Sequence, residues 1–434
     1  MVDVLVLGAT GVTGRQVTRY LNSHPQHSQF TLAIAGRSRR KLDNLISDLS
    51  LPKSIQVQVV DVTNFEQVEA LVKDAKIVLN TVGPYTKWGS PVVRACARNG
   101  VHYVDLTGEQ IFVRDIVEKY DYVATKTGSI LVPSCGMDSL PSDIAVHIAN
   151  KALKQLSKDA VEPLQIDTST TSHELHGVFS NGTISTILTA FGSIPKHKLA
   201  ESLRDYYLSP VEGKPSPPPR LKYSMSLPST REAVVGGYFM MSSANRAIVQ
   251  RSWGLLEWNS LTTKSTEARK QRYGPMVYEE FMRQKSTFSS VLLTLTLLVG
   301  FSLMTLSPVR WFVGRLGMKE TSIDLDRQLE SGSLDVINVT TSLPSSAFPK
   351  PVKVETTISA KGDPGYYLSP IMMAESGLAL LLDKPALPAL AKNGGVLTPA
   401  IALGDVIVKR LQEYAKFDIR CEVVNGAGES RKTI

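Results

Sequence analysis

Short apolar runs recur through the first third of the chain, and segments with helical spacing of apolar residues separate them. We predict six buried strands from these runs: Val2–Leu7, Phe30–Ala35, Ile55–Val60, Ala75–Val82, His102–Leu106 and Ser129–Pro133. Helices fit between them at Arg15–Leu21, Phe65–Val72, Pro91–Asn99 and Phe112–Lys126. Strands that alternate with helices at this spacing predict an α/β fold with a doubly wound parallel sheet, over residues 1–148.

The pattern changes after about residue 150, where longer runs alternate between apolar and polar positions. Such runs are Leu164–Ser172, Leu221–Ser226, Leu334–Ser342 and Val352–Ala360. Alternation of this kind is typical of antiparallel strands with one buried face. We therefore predict an inserted α+β domain over residues 149–390, followed by a segment, 391–434, with one more helix and strand.

Composition narrows the class of protein. The chain has 434 residues, 43% of them hydrophobic, a formal net charge of +8 and three cysteines. Three scattered cysteines form neither a disulfide framework nor a zinc site, so we expect no metal and a reducing compartment. The basic residues do not interleave with aromatic ones as nucleic-acid modules require, so we expect no nucleic acid partner. Asp3 interrupts the N-terminal apolar run, which therefore does not resemble a signal peptide.

A glycine-rich turn joins the first strand to the first helix in the sequence "VLVLGATGVTGRQV". Gly8, Gly11 and Gly14 are spaced three apart, with Thr10, Val12 and Thr13 between them. A pyrophosphate needs a sharp turn, a backbone without side chains in its way, and a helix N-terminus that faces the anion. The motif therefore predicts a dinucleotide site formed by these six residues.

The ends of the next strands indicate which dinucleotide binds. NAD enzymes place an acidic residue after the second strand, whereas this chain has Arg37, whose guanidinium suits a 2′-phosphate. We predict NADP(H) in preference to NAD(H). Asp61 would accept a hydrogen bond from the adenine amino group. Val82, Gly83 and Tyr85, in "NTVGPY", would cross the adenosine ribose.

Two polar loops, "DLTGE" and "SCGMDSLPSD", follow the fifth and sixth strands. Open parallel sheets bind ligands at the carboxyl ends of their strands, so the nicotinamide and the substrate should meet here. Glu109 and Asp138 are the candidate proton donors, with water as the alternative source of the proton, and Cys135 is a candidate substrate contact. Helix capping explains the Ser139–Ser142 part of the second loop equally well.

Seven segments together resemble the saccharopine dehydrogenase-like oxidoreductase family, which includes the trans-acting enoyl reductases. They are "GATGVTG", "AGRSRRKL", "NTVGPY", "YVDLTGE", "SCGMDSLPSD", "GDPGYYLSPIMMAES" and "GGVLTPA". The resemblance implies a Rossmann domain, an inserted second domain, and a C-terminal segment that packs back on the first domain. It also implies a substrate loop at "NGTIST", with Asn181 and Thr183 as contacts. The basic residues that true saccharopine dehydrogenases use for two carboxylates are not identifiable here.

Residues 286–309 contain no charged side chain, and basic residues flank the run on both sides. As one helix the run would be about 36 Å long, which exceeds the roughly 30 Å core of a bilayer. A true span would separate the C-terminal segment from the first domain, against the family's architecture. We therefore expect a bent segment that dips into one leaflet. A buried or homodimer helix and a true span remain the alternatives.

These features predict an NADPH-dependent reductase at the cytoplasmic face of an intracellular membrane or a lipid droplet. Its substrate would be lipid-like or polyketide-like and unsaturated, as the resemblance to enoyl reductases implies. The alternative is a membrane-associated scaffold that binds dinucleotide and turns over little, because no proton donor stands out from the residues.

Overall fold

The computed structural model describes residues 1–177, 192, 194–316, 329–424 and 430–433. The chain forms two compact units. The first comprises residues 1–140 and 362–417, and the second comprises residues 141–361 and 418–434. Strands and helices are numbered along the chain.

The first unit is built on a parallel sheet of seven strands, in the order β13-β6-β5-β4-β1-β2-β3. The strands are β1 (Val2–Leu7), β2 (Leu32–Gly36), β3 (Gln56–Val59), β4 (Ala75–Asn80), β5 (His102–Asp105), β6 (Ile130–Val132) and β13 (Gly395–Val396). The apolar runs predicted from sequence supply the six strands before β13, and the predicted α/β doubly wound fold is confirmed. The side chains of β1, β2, β4, β5 and β6 are largely buried, because helices cover both faces of such a sheet. The edge strand β3 is mostly exposed, which corrects its prediction as a buried strand.

The helices of the first unit alternate with these strands. They are α1 (Val12–Ser23), α2 (Arg39–Asp48), α3 (Phe65–Lys73), α4 (Tyr85–Trp88), α5 (Ser90–Asn99), α6 (Gln110–Thr127), α13 (Ser369–Leu382), α14 (Pro399–Leu403) and α15 (Asp405–Glu413). Residues 362–417 therefore return to the first unit. Their strand β13 pairs with β6, and Gly377 of α13 packs against Leu79 of β4.

A buried carboxylate fastens the returning segment to α1. Glu375 of α13 accepts hydrogen bonds from Tyr20 (2.5 Å) and His24 (2.9 Å) at the end of α1. It also accepts one from the Arg410 guanidinium of α15 (2.6 Å). A buried carboxylate is stable only when it is paired and hydrogen-bonded, and these three donors meet that requirement.

The second unit contains a mixed sheet of eight strands, in the order β15-β14-β12-β11-β7-β10-β9-β8. The strands are β7 (Ile166–His176), β8 (Tyr223–Ser226), β9 (Ala233–Gly237), β10 (Val277–Gln284), β11 (Ser333–Ser342), β12 (Lys353–Lys361), β14 (Asp418–Val424) and β15 (Ser430–Thr433). Within this second sheet, the β7–β10 pair is the only parallel one among the pairings of the described strands. The helices are α7 (Leu140–Leu156), α8 (Lys196–Ser202), α9 (Ser242–Thr263), α10 (Thr266–Gln271), α11 (Thr287–Met304) and α12 (Ser307–Leu316).

The boundaries of the units differ from those predicted. Residues 362–390 belong to the first unit rather than to the inserted domain. Residues 418–434 belong to the second unit, because β14 pairs with β12 along seven residues, from Asp418 to Val424. Within the predicted C-terminal segment 391–434, only residues 391–417 pack on the first unit.

The uncharged run, which was expected to bend, comprises helix α11 and the start of helix α12. Helix α11 has 18 residues, about 27 Å, and ends in a turn at Thr305 and Leu306 before α12 begins. The Arg310 guanidinium donates to the carbonyls of Met304 and Thr305 (2.9 and 2.7 Å), which closes the end of α11. Among the described helices, α11 alone is long and apolar enough to cross a membrane, and 11% of it is buried.

Candidate functional site

The glycine turn after β1 leaves no room for side chains at two of its three glycines. Gly8 has φ +86°, and a Cβ there would lie 2.7 Å from Thr81 Oγ1. A Cβ on Gly14 would lie 2.3 Å from the carbonyl oxygen of Gly8. Gly11 is less constrained, since the nearest atom to its Cβ would be 3.4 Å away. The turn is therefore a bare backbone cradle of the kind that accepts a pyrophosphate.

Helix α1 begins directly after this cradle, with Gly11 as its N-cap. No acidic residue lies in its first turn, so its N-terminal N–H groups favour an anion. Val12 is 47% exposed, and Thr10 and Thr13 are half-buried beside it. The six residues predicted from the motif thus lie at the turn between β1 and α1, with Gly14 buried beneath it and the others at least partly exposed, an arrangement compatible with a dinucleotide.

Arg37 lies directly after β2, on the surface. No acidic side chain among the described residues pairs with it, whereas Arg39 pairs with Asp43 at 2.9 Å. Asp61 follows the neighbouring strand β3 and is exposed. Hydrogen bonds from Thr63 to its carboxylate lower the pKa of Asp61, so it is an anion at neutral pH. Arg37 is therefore exposed and has no salt bridge among the described residues, which is compatible with its predicted contact to a phosphate.

Hydrogen bonds to Asn80, the last residue of β4, hold the loop that follows this strand. The Asn80 side chain accepts from Val82 N (3.1 Å), and its main-chain carbonyl accepts from the Tyr85 hydroxyl (2.9 Å). Gly83 is exposed on the loop, whereas Tyr85 is 6% exposed and packs on Phe112. Tyr85 is among the residues predicted to cross the adenosine ribose. Its ring and hydroxyl face the core, so its side chain does not take part in such a contact.

Glu109 is a capping residue. Its carboxylate accepts hydrogen bonds from the main-chain N–H groups of Tyr85 (2.8 Å) and Thr86 (2.9 Å), at the start of α4, and from the Thr86 hydroxyl. Carboxylates stabilise helix N-termini in this way. The predicted role of Glu109 as a proton donor is corrected, because the structure engages both of its carboxyl oxygens as the acceptors of these contacts.

A buried network beneath the strand ends was not found by sequence analysis. The Tyr103 hydroxyl donates to Asp105 (2.7 Å) and accepts from Asn80 (3.1 Å). Asp105 also accepts from the main-chain N–H groups of Thr107 and Ser134, both at 2.9 Å. Burial raises the pKa of Asp105 to about 6. Asn80 and Asp105 end adjacent strands, and that position was the signal available in the sequence.

Asp138 lies in the loop after β6 and is half-buried. No hydrogen-bond donor from the described part of the chain reaches its carboxyl group. Burial raises the pKa of Asp138 to about 6. A carboxyl group with this environment carries a proton in weakly acidic solution and is not committed to any structural contact, which are the properties of a general acid.

Cys135 and the returning segment fix the position of that loop. The Cys135 side chain has no exposed surface, and its thiol faces the Val132 carbonyl at 3.5 Å. The predicted substrate contact through Cys135 is therefore corrected. The Ser369 hydroxyl accepts a hydrogen bond from Met137 N (2.9 Å) and donates one to the Pro364 carbonyl (2.9 Å). Ser369 directly follows the π-helical turn Pro364–Leu368. Asn181 and Thr183, the other predicted substrate contacts, lie outside the described residues.

Comparisons with known proteins show the family of the chain. Residues 4–132 match the family described as the saccharopine dehydrogenase NADP binding domain, which confirms the predicted preference for NADP(H). A putative trans-acting enoyl reductase of Mycobacterium tuberculosis is 32% identical, over 94% of this chain and 95% of its own length. The trans-acting enoyl reductase of Mycobacterium ulcerans is 27% identical, over 95% of this chain and 96% of its own.

One solved structure shares the fold over the whole chain. The apo, histidine-tagged saccharopine dehydrogenase (L-Glu forming) from Saccharomyces cerevisiae matches with a TM-score of 0.52 at 12% identity. The match covers 98% of this chain and 100% of that one. At this identity the likeness concerns the fold.

Proposed function

Because the chain belongs to the saccharopine dehydrogenase-like oxidoreductase family, which includes the trans-acting enoyl reductases, we propose that it reduces a carbon–carbon double bond with NADPH. The proposed substrate is a lipid-like or polyketide-like unsaturated acyl compound. The proposed place of action is the cytoplasmic face of an intracellular membrane or a lipid droplet.

The observation that carries the reaction is the uncommitted carboxyl group of Asp138 at the carboxyl end of the parallel sheet. Reduction of a double bond adds one hydride and one proton. When bound, NADPH supplies the hydride. The cradle at Gly8 and Gly14 and the Arg37 guanidinium would hold its phosphates, and the Asp138 carboxyl would hold the proton that the substrate takes up. The substrate class rests on the names of the relatives.

The membrane surface is proposed from the exposure of α11 and α12. Apolar side chains that lie largely in solvent include Phe288 (77%), Leu298 (58%), Val299 (55%), Trp311 (65%) and Phe312 (57%). A contiguous apolar surface of this kind needs a partner. The turn at Thr305 shortens the apolar helix and favours insertion into one leaflet over a span. A homodimer that covers the same surface is the competing arrangement.

A second candidate function is a dinucleotide-binding scaffold at a membrane. The observation in its favour is the engagement of Glu109 in capping α4, which leaves Asp138 as the one predicted acid without a structural contact. The two functions differ in turnover.

The test of the reaction uses the purified full chain, NADPH and enoyl thioesters of short and long acyl chains, with extracted neutral lipids as a second substrate source. We expect loss of NADPH absorbance and a product heavier by two hydrogen atoms. Gly14→Ala should abolish both, because its Cβ would lie 2.3 Å from the Gly8 carbonyl oxygen and disrupt the cradle. NADPH binding without oxidation of NADPH in any mixture would favour the scaffold.

The test of location uses tags at both termini of the chain in intact microsomes or lipid droplets. Insertion into one leaflet leaves both tags open to added protease. Protection of one tag would establish a span. A chain that remains soluble and dimeric would show that a second copy covers α11 and α12.

A further inference from the structure

A cavity of about 380 Å³ lies in the second unit, beside the first turn of α9 and the start of β10. Its size is within the range of small-ligand sites. Tyr223, Tyr238 and Pro218 form an apolar part of its wall, and Arg204, Ser242 and Arg246 form a polar part. The cavity is separate from the residues of the dinucleotide site, which belong to the first unit.

The acidic residues at this cavity are already neutralised or hydrogen-bonded. Asp205 pairs with Arg246 at 3.3 Å, and Glu279 pairs with Arg220 at 2.7 Å. Glu280 is 4% exposed and accepts from Asn245 (2.8 Å) and from the Tyr278 hydroxyl (2.7 Å). None of these three carboxylates is left to attract a cation.

Arg204 is the exception among the charged groups. It is exposed at the cavity, and no acidic side chain in the described part of the chain pairs with it. A guanidinium presents donors in a planar fork that fits a phosphate group, and the Ser242 hydroxyl adds a further donor to the same wall. Glu280 is buried whereas Arg204 is exposed, so the unpaired charged group that a ligand can reach at the cavity is the Arg204 guanidinium, which favours an anion.

The wall of the cavity is hydrogen-bonded to α11. The Thr294 hydroxyl of α11 accepts from Tyr238 N at 2.9 Å and faces the Leu221 carbonyl at 3.0 Å. Gly237 lets α11 approach this closely, since a Cβ there would lie 2.4 Å from the Ser290 carbonyl oxygen. The apolar side chains of α11 therefore begin next to the cavity, and a ligand with a phosphate and an apolar chain matches both.

We propose that this cavity binds the phosphate group of an anionic amphiphile, such as a phospholipid headgroup at the surface on which α11 and α12 lie. The part of the proposal that concerns the apolar chain of the ligand rests on the membrane association proposed above. The part that concerns its phosphate group rests on Arg204 and the cavity alone. Free phosphate esters share the headgroup chemistry, and the experiment separates these two sources.

The experiment compares flotation of the full chain on vesicles of phosphatidylcholine alone and of phosphatidylcholine with phosphatidic acid. We expect tighter binding to the anionic vesicles, and Arg204→Gln should weaken that binding about tenfold by removal of one charge-assisted contact. The matched control is Arg269→Gln on α10, at the opposite end of α9, which should leave binding within about twofold. NADPH binding should be the same in both variants.

Titration with glycerol 3-phosphate and with inorganic phosphate tests the cavity without a membrane. If the wild-type chain binds either compound and Arg204→Gln does not, the phosphate site is supported even when no vesicle binds. In that case only the proposed membrane association fails. Equal binding of the wild-type chain and Arg204→Gln to anionic vesicles and to glycerol 3-phosphate would overturn the proposal. Vesicle binding that depends on α11 but not on phosphatidic acid would overturn the proposal and leave the membrane association standing.

Discussion

The loops after β5 and β6 each carry a carboxyl group that the sequence presents in the same way, at the carboxyl end of a parallel strand. Their surroundings differ. Glu109 is held by three donors of the α4 turn, whereas Asp138 is half-buried and has no donor among the described residues. Hydrogen bonds to a carboxylate favour its charged form, and burial without them favours the neutral form.

The comparison teaches that position at a sheet edge is insufficient to assign an acid. The donor groups around each carboxyl decide whether it is a structural acceptor or a proton source. Substitutions at the two positions should therefore separate stability from catalysis.

The largest effect is expected for Asp138→Asn. If Asp138 supplies the proton, the substitution should lower kcat by about 100-fold or more, the usual contribution of a general acid. Activity of the wild-type chain should fall as the pH rises above about 6, because the acid must be protonated. The variant should lack this pH dependence. Asp115→Asn, on the surface of α6, is the control, and an unchanged kcat in Asp138→Asn would remove the distinction between the two loops.

Arg37→Ala tests cofactor binding independently of both carboxyl groups. Loss of a charge-assisted contact to a 2′-phosphate should weaken NADPH binding by about 1.5–3 kcal/mol and leave NADH binding unchanged. Calorimetric titration with each cofactor measures this difference. Arg39→Ala, whose guanidinium is already paired with Asp43, should change neither affinity appreciably. Equal losses for both cofactors would contradict the assignment of Arg37.

Glu109→Gln should affect stability more than chemistry. A neutral amide replaces at least one acceptor with a donor, so the start of α4 loses a hydrogen bond, and the free energy of unfolding should fall by about 1–2 kcal/mol. We expect kcat to stay within about threefold. Denaturant unfolding measures the stability, and steady-state rates measure kcat. Glu118→Gln, at an exposed side chain of α6, is the control. A large loss of kcat with unchanged stability would return Glu109 to the chemistry.

The sequence predicted those parts of the molecule whose constraints are local. The spacing of Gly8, Gly11 and Gly14 predicts a turn that the structure reproduces. A Cβ on Gly14 would clash with the Gly8 carbonyl oxygen six residues earlier, and the positive φ of Gly8 is a local property of the same turn. The apolar runs before residue 135 likewise report buried parallel strands. Both signals depend on residues close together in the chain.

Contacts between distant residues could not be predicted in this way. Glu109 reaches donors 23 and 24 positions earlier in the chain, and no local pattern encodes that pairing. Helix α9 was also missed, because it is buried along most of its length and shows no apolar stripe. A bend was expected in the uncharged run, but its position at Thr305 and Leu306 could not be predicted, because neither residue is a glycine or a proline.

The smallest expected effect concerns stability and follows from the environment of Asp138. Its pKa is about 3.8 in an unfolded chain and about 6 in the folded chain, because burial disfavours its ionised form. Its contribution to stability is therefore fully present below pH 4 and is lost as the pH rises through about 6. Asn cannot ionise, so Asp138→Asn should gain stability relative to the wild-type chain between pH 4 and pH 8. Allowing for partial exposure, we expect a gain of about 1 kcal/mol.

Asp105 titrates in the same range, so only the difference between variant and wild type isolates Asp138. Urea unfolding of both proteins at the two pH values measures it, and Glu109→Gln should show no such gain at pH 8. A constant difference between Asp138→Asn and wild type at both pH values would mean that Asp138 ionises in the folded chain as it does in the unfolded one.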